Sequence, residues 1–95
     1  MNTLNNLIIE GNLLKKKLKT HTFEFSIAVN RFYKDNNGDG QLETSFFDVE
    51  AYGKLIDICE QQFQKGRGVR IVGRLKQVQE RVIIIAEHIE FKPSK

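Results

Sequence analysis

The apolar residues of this chain change period twice, and that change restricts the fold more than any other feature. The stretch "HTFEFSIAV" alternates strictly, with Phe23, Phe25, Ile27 and Val29 on one side, as a half-buried strand requires. From Lys54 the spacing becomes helical: Leu55, Ile58, Cys59 and Phe63 follow i, i+3, i+4, i+8, and Gly66 stands where a C-cap glycine belongs. "GVRIVGRLK" then alternates again, Val69, Ile71 and Leu75 opposite Arg70, Arg74 and Lys76. One helix is thus expected inside a series of strands.

The remaining segments complete the order. "NNLIIEGNL" (5–13) reads as a short apolar strand stopping at Gly11, and "KKKLKT" (15–20) as a charged connection. "KDNNGDGQ" (34–41) is a turn, and "SFFDVEAYGKL" opens the third strand. "QVQERV" (77–82) is a tight turn before the β-branched fifth strand, "RVIIIAEHIEF". The chain of 95 residues forms one domain without repeats or linkers. Strand, strand, strand, helix, strand, strand in so small a chain closes most economically into an all-β, five-stranded, partly closed antiparallel Greek-key barrel, because closure removes exposed edges. The OB-fold has this order, with a small open α+β sheet as the fallback.

Several functions are set aside. The longest apolar run, Val82–Ala86, is too short to cross a bilayer, and the N-terminus has no signal-peptide pattern, so neither membrane nor export is expected. Cys59 is alone and fits a reducing cytoplasm. In "DNNGDGQLETSF", Asp35, Asn37 and Asp39 occupy calcium-loop positions, but Phe46 stands where a bidentate Glu is required. His21 and His88 have no neighbouring ligands, Gly66, Gly68 and Gly73 lack phosphate-loop spacing, and no nucleophile has a recognisable context. No metal, cofactor or enzymatic activity is expected.

What remains is a combination of rings and cations. In the third strand Phe47, Val49 and Ala51 share the core side, which leaves Phe46, Asp48, Glu50 and Tyr52 outward. Large rings on the wet side of a strand need a partner. Single-stranded nucleic acid supplies one, since unpaired bases stack on rings and cations follow the phosphates. Tyr33, Phe46 and Tyr52 are expected on one wall, with Lys54, Arg74 and Lys76 beside them and Lys15 and Lys17 as further contacts. The net charge of +3 permits a polyanionic partner without demanding one.

These residues carry a family resemblance. "NNLIIEGNL" resembles the opening strand of bacterial single-stranded DNA-binding proteins. "AYGKLIDICEQQFQKGRGVRIVGRL" is similar to their second signature, and "FSIAVNRFY" and "ETSFFDVEAYGKL" fit the same register. The likeness spans about Asn5 to Phe91. It implies an OB barrel in a cytoplasmic, nucleoid-associated homotetramer whose subunits associate through first strands and bind single-stranded DNA during replication, recombination and repair. It places base-stacking rings at Tyr33, Phe46 and Tyr52, and basic contacts at Lys54 and Lys76.

The departures define the alternatives. A further stacking ring is usual on the hairpin between strands four and five, where Glu80 stands here. Asp48 occupies a position where a base is common, and Glu50 adds a second negative charge. Family members end in an acidic tip that recruits replication and repair proteins, whereas this chain ends in "EFKPSK", so the tail has been removed or no partners are recruited in that way. A dimeric OB-fold accessory like primosomal replication protein N, or a protein-interaction module with an aromatic and acidic docking face, fits these departures.

Overall fold

The computed structural model describes residues 1–93; residues 94 and 95 lie outside it. Strands β1 (Leu7–Leu18), β2 (Phe23–Lys34) and β3 (Gly40–Ala51) are followed by helix α1 (Lys54–Gln62), then β4 (Gly68–Val78) and β5 (Arg81–Phe91). They close into a ring in the order β1-β2-β3-β5-β4. The expected OB-type barrel is present, with one departure. All neighbours pair antiparallel except β3 and β5, which close the ring in parallel through two pairs, Val49↔Ile84 and Glu50↔Ile85.

The core is the inner set of alternating positions, with Leu13, Phe23, Phe25, Ile27, Val49, Ala51, Val69, Ile71, Ile84 and Ala86 buried together. Helix α1 covers one end of it. Phe63 packs against Phe23 and Phe25 at ring separations of 6.0 and 6.4 Å. Arg67 fastens the helix end to β5, donating to the carbonyls of Gln62 and Lys92 while lying over the Phe91 ring.

Several local expectations are corrected. The lysine run is strand, not connection: β1 continues past Gly11 to Leu18, and a register shift between Leu13 and Lys16 accommodates an extra residue. Such a bulge interrupts the alternation that would have revealed the strand. The helix ends at Gln62, with Phe63 extended as its cap residue; Gly66 (φ +88°) serves the next turn, where its N–H donates to the Leu13 carbonyl. Ile58 faces solvent and Ile56 packs in its place, so the buried face of α1 is not the one that the i, i+3, i+4 spacing selects. Leu75 is exposed, since the β4–β5 hairpin runs beyond the barrel wall. The hairpin turn is only Gln79 and Glu80, with Gln79 at φ +57°. The Asp35 carboxylate accepts N–H donors from Asn37, Asp39 and Gln41 at its own hairpin end, and the Asp39 backbone bond leads in holding its pKa below the usual value.

Cys59 is buried in the core cluster, and loss of solvation pushes its pKa up to about 11. Two glycines are set by close approach rather than by φ. A Cβ on Gly73 would lie 2.1 Å from the Ile85 carbonyl oxygen, beside the point where Glu87 bulges out of β5. A Cβ on Gly11 would lie 2.7 Å from the Ala28 oxygen. Both obstructions are backbone and cannot rotate away. Gly73→Ala should therefore cost about 3 kcal/mol, near the top of the usual overpacking range. Denaturant unfolding checks this, and a loss below about 1 kcal/mol would mean the strands separate freely there.

Candidate nucleic-acid interface

Strands β2 and β3 pair without interruption from Phe23↔Ala51 to Lys34↔Gly40, so alternation assigns every side chain to one face. Glu24, Ser26, Ala28, Asn30 and Phe32 share the outward face with Leu42, Thr44, Phe46, Asp48 and Glu50, and Tyr52 continues it where β3 ends. Phe46 is 67% exposed and Tyr52 40%. Six residues at about 3.3 Å each set them about 20 Å apart.

The same rule removes Tyr33 from this face. It pairs with Gln41 and sits on the reverse side with Arg31, whose guanidinium lies over its ring at 5.6 Å. The outward ring at that end is Phe32, 79% exposed and in step with Ala28 and Phe46. Sequence reading missed Phe32, although its parity with Phe46 follows from counting once the turn is fixed at Asp35–Asp39. Beyond Phe46, β2 and β3 pair only with each other, so Phe32 and Leu42 stand on a projecting two-stranded arm.

Cations approach from three sides. On β4, Arg74 and Lys76 are exposed opposite Ile85 and Ile83, on the side away from buried Ile71 and Gly73. On β1, Lys15 and Lys17 line a groove of about 330 Å³ together with Glu24, Ser26, Asp48, Glu50 and Arg81. Lys16 lies over the Phe63 ring at 5.5 Å. Lys54, exposed, opens α1 just after Tyr52 and Gly53. A cation at a helix N-terminus opposes the macrodipole, so Lys54 is not placed there for the helix's benefit. Arg81 was not foreseen; the β4–β5 pairing puts it opposite Val78, next to the hairpin turn.

The carboxylates between the rings are each engaged. Asp48 receives Arg81 at 2.7 Å, Glu24 receives Lys19 at 2.8 Å, and Glu50 accepts the Tyr52 hydroxyl. The Glu50 hydrogen bond is the main cause that raises the Tyr52 pKa above the usual tyrosine value, and nearby Arg74 offsets it in part. That bond also restrains a partly exposed ring. Beneath this face β5 is covered on both sides: Ile83 and Ile85 point outward by alternation yet are 2% and 4% exposed. Hence the unbroken apolar run at 83–86.

A five-stranded barrel of OB type with one ring-bearing, cation-edged wall defines the class of nucleic-acid-binding barrels. The comparisons are specific. The model of the "Single-strand binding protein family" matches residues 4–91. A single-stranded DNA-binding protein of Aquifex aeolicus is 38% identical over 90% of this chain and 68% of its own length. Single-stranded DNA-binding protein 2 of Chlorobaculum tepidum is 32% identical over 80% of this chain and 56% of its own length. Among solved structures, a Plasmodium falciparum SSB in complex with ssDNA superposes with TM-score 0.80 at 20% identity, covering 98% of both chains. A small single-stranded DNA-binding protein of Streptomyces coelicolor gives TM-score 0.71 at 23% identity, over 97% of this chain and 95% of that one. The structural likenesses establish the fold. The chain belongs to the single-strand binding protein family, whose members are binding proteins rather than enzymes, and it spans about one half to two thirds of the length of most curated relatives it matches.

Replacing Glu50 by Gln should lower the Tyr52 pKa toward the ordinary tyrosine value, because the carboxylate that accepts the phenolic proton and repels the phenolate is gone. A pH titration of tyrosinate absorbance checks this. A curve unmoved by the substitution would show that Glu50 does not restrain the ring.

Proposed function

We propose that this protein binds single-stranded DNA without strict sequence dependence, and so protects it during replication, recombination and repair. Bases stack on Phe46, Tyr52 and Phe32, and phosphates follow Lys54, Arg74 and Lys76 on one side and Lys15 and Lys17 on the other. The observation that carries this reading is the pair of bare rings, Phe46 and Tyr52, on one continuous strand face with cations along its margins. Stacking is sequence-tolerant because every base has a π-face. The Plasmodium structure, solved with ssDNA, has the same barrel. A cytoplasmic, nucleoid-associated setting accords with this reading and with the single unpaired thiol.

A homotetramer goes with the family, with a dimer as the alternative. In support, Leu7–Glu10 of β1 pair with β4 alone, so their second backbone edge is open among the described residues, and Ile8 on that segment is 72% exposed. An open apolar edge is a template for a second strand. Sedimentation equilibrium separates the two assemblies.

Titration of a labelled oligo-dT at several salt concentrations tests the binding itself. Phe46→Ala and Tyr52→Ala should each cost about 1–3 kcal/mol of binding. Phe32→Ala should cost more than Tyr33→Ala, in the order that their faces dictate. Lys54→Ala should shallow the log–log salt slope by about 0.7, one phosphate contact. Equal competition by duplex DNA, or affinity untouched when Phe46 and Tyr52 are truncated together, would overturn the proposal and leave a face that docks a basic protein partner.

A further inference from the structure

The Asp48–Arg81 pair joins β3 to β5 where the barrel wall is thinnest. Backbone pairing between these strands covers only Val49↔Ile84 and Glu50↔Ile85, and the ion pair lies immediately beyond it. Arg81 is the first residue of β5, directly after the two-residue turn. Its backbone pairs with Val78, while its guanidinium donates across to Asp48. Both side chains remain wet, at 66% and 57% exposure. One guanidinium nitrogen is engaged by the carboxylate, which leaves the rest of a five-donor fork without a protein partner among the hydrogen bonds of the described residues.

Position gives those donors a use. Arg81 and Asp48 line the same groove as Lys15 and Lys17, on the face that carries Phe46. A phosphate entering that groove would meet lysines of β1 on one wall and the Arg81 fork on the other. Bidentate contact with a phosphate is geometrically better than the single nitrogen contact to Asp48. Releasing Asp48 costs little, because its carboxylate is already more than half solvated and simply rehydrates. An exposed pair of this kind contributes little and yields readily.

We propose that Arg81 is a further phosphate-binding residue and that Asp48 acts as an internal stand-in for the phosphate, an autoinhibitory contact that the DNA strand displaces. The inference rests on the single-strand reading above and adds a residue and a control element to it. In the free protein Asp48 satisfies Arg81 and bridges the β3–β5 seam. In the complex the guanidinium turns from carboxylate to phosphate, and Asp48 returns to water. Two consequences separate this from simple repulsion by Asp48. Arg81 must count in the salt dependence, and the effect of Asp48 on affinity must depend on Arg81 being present.

A double-substitution cycle on the intact chain decides the matter, with labelled oligo-dT titrated over a series of salt concentrations. Arg81→Ala should weaken binding several-fold and shallow the slope by about 0.7, while Arg81→Lys should keep the slope. Asp48→Asn should tighten binding by up to about fivefold, the most that an exposed ion pair withholds. In the Arg81→Ala background the same change should yield less than about twofold. Thermal melts of the four proteins show whether each remains folded; both side chains are exposed, so all should. If Asp48→Asn tightens binding equally with and without Arg81, Asp48 acts by through-space repulsion and the proposal is overturned. A slope unchanged by Arg81→Ala overturns it as well. Wild-type protein that ignores oligo-dT defeats the single-strand reading itself, and this inference with it.

Discussion

The uninterrupted pairing of β2 with β3 is the constraint on which the rest of the molecule depends. Twelve residues of β2 meet twelve of β3 with no bulge, from the barrel floor to the tip of the projecting arm. A slip of one residue would carry Val49 and Ala51 into water and send Phe46 and Tyr52 into the core. The core and the binding wall are therefore specified by the same register. The other ladders carry the irregularities, at Leu13/Lys16 in β1 and at Val72/Gly73 opposite Glu87, and so bend the sheet into a ring without disturbing the ring-bearing face.

On that face, charge is arranged to hold rather than to repel. Glu24, Asp48 and Glu50 share the face with the rings, but each is answered by a neighbour: Lys19, Arg81 and the Tyr52 hydroxyl. Cations lie at the margins of the wall and rings in its middle. In the proposed complex the bases lie on the rings and the phosphates along the cationic edges, each group against its complement. The opposite flank has its own network, in which Glu10 takes both Arg70 and Lys92; Arg70's hydrogen bond leads in lowering the Glu10 pKa.

Much of this is legible in the sequence, and what escapes it has physical reasons. The second and third strands, the helix and the outward placement of Phe46 and Tyr52 follow from period alone, because each segment keeps its period to the end. The lysine-rich half of β1 escaped because a bulge breaks the alternation and because its lysines are exposed. Ile58 and Leu75 look like core residues by spacing, but spacing is blind to where the barrel ends. Phe32 and Tyr33 are adjacent aromatics, and only the ladder decides which of them shares the wall with Phe46. The Asp48–Arg81 pair joins residues 33 apart, and local pattern carries no information about it.

The fate of Cys59 has a practical side. The chain's one thiol lies within the barrel core with its ionisation suppressed, so the folded protein offers no competing nucleophile to a maleimide or a disulfide reagent. A cysteine engineered on the outer arm, beside Phe32, would be the single labelling handle. A dye placed there would report strand capture directly, making the molecule its own fluorescent sensor with no background cysteine to remove.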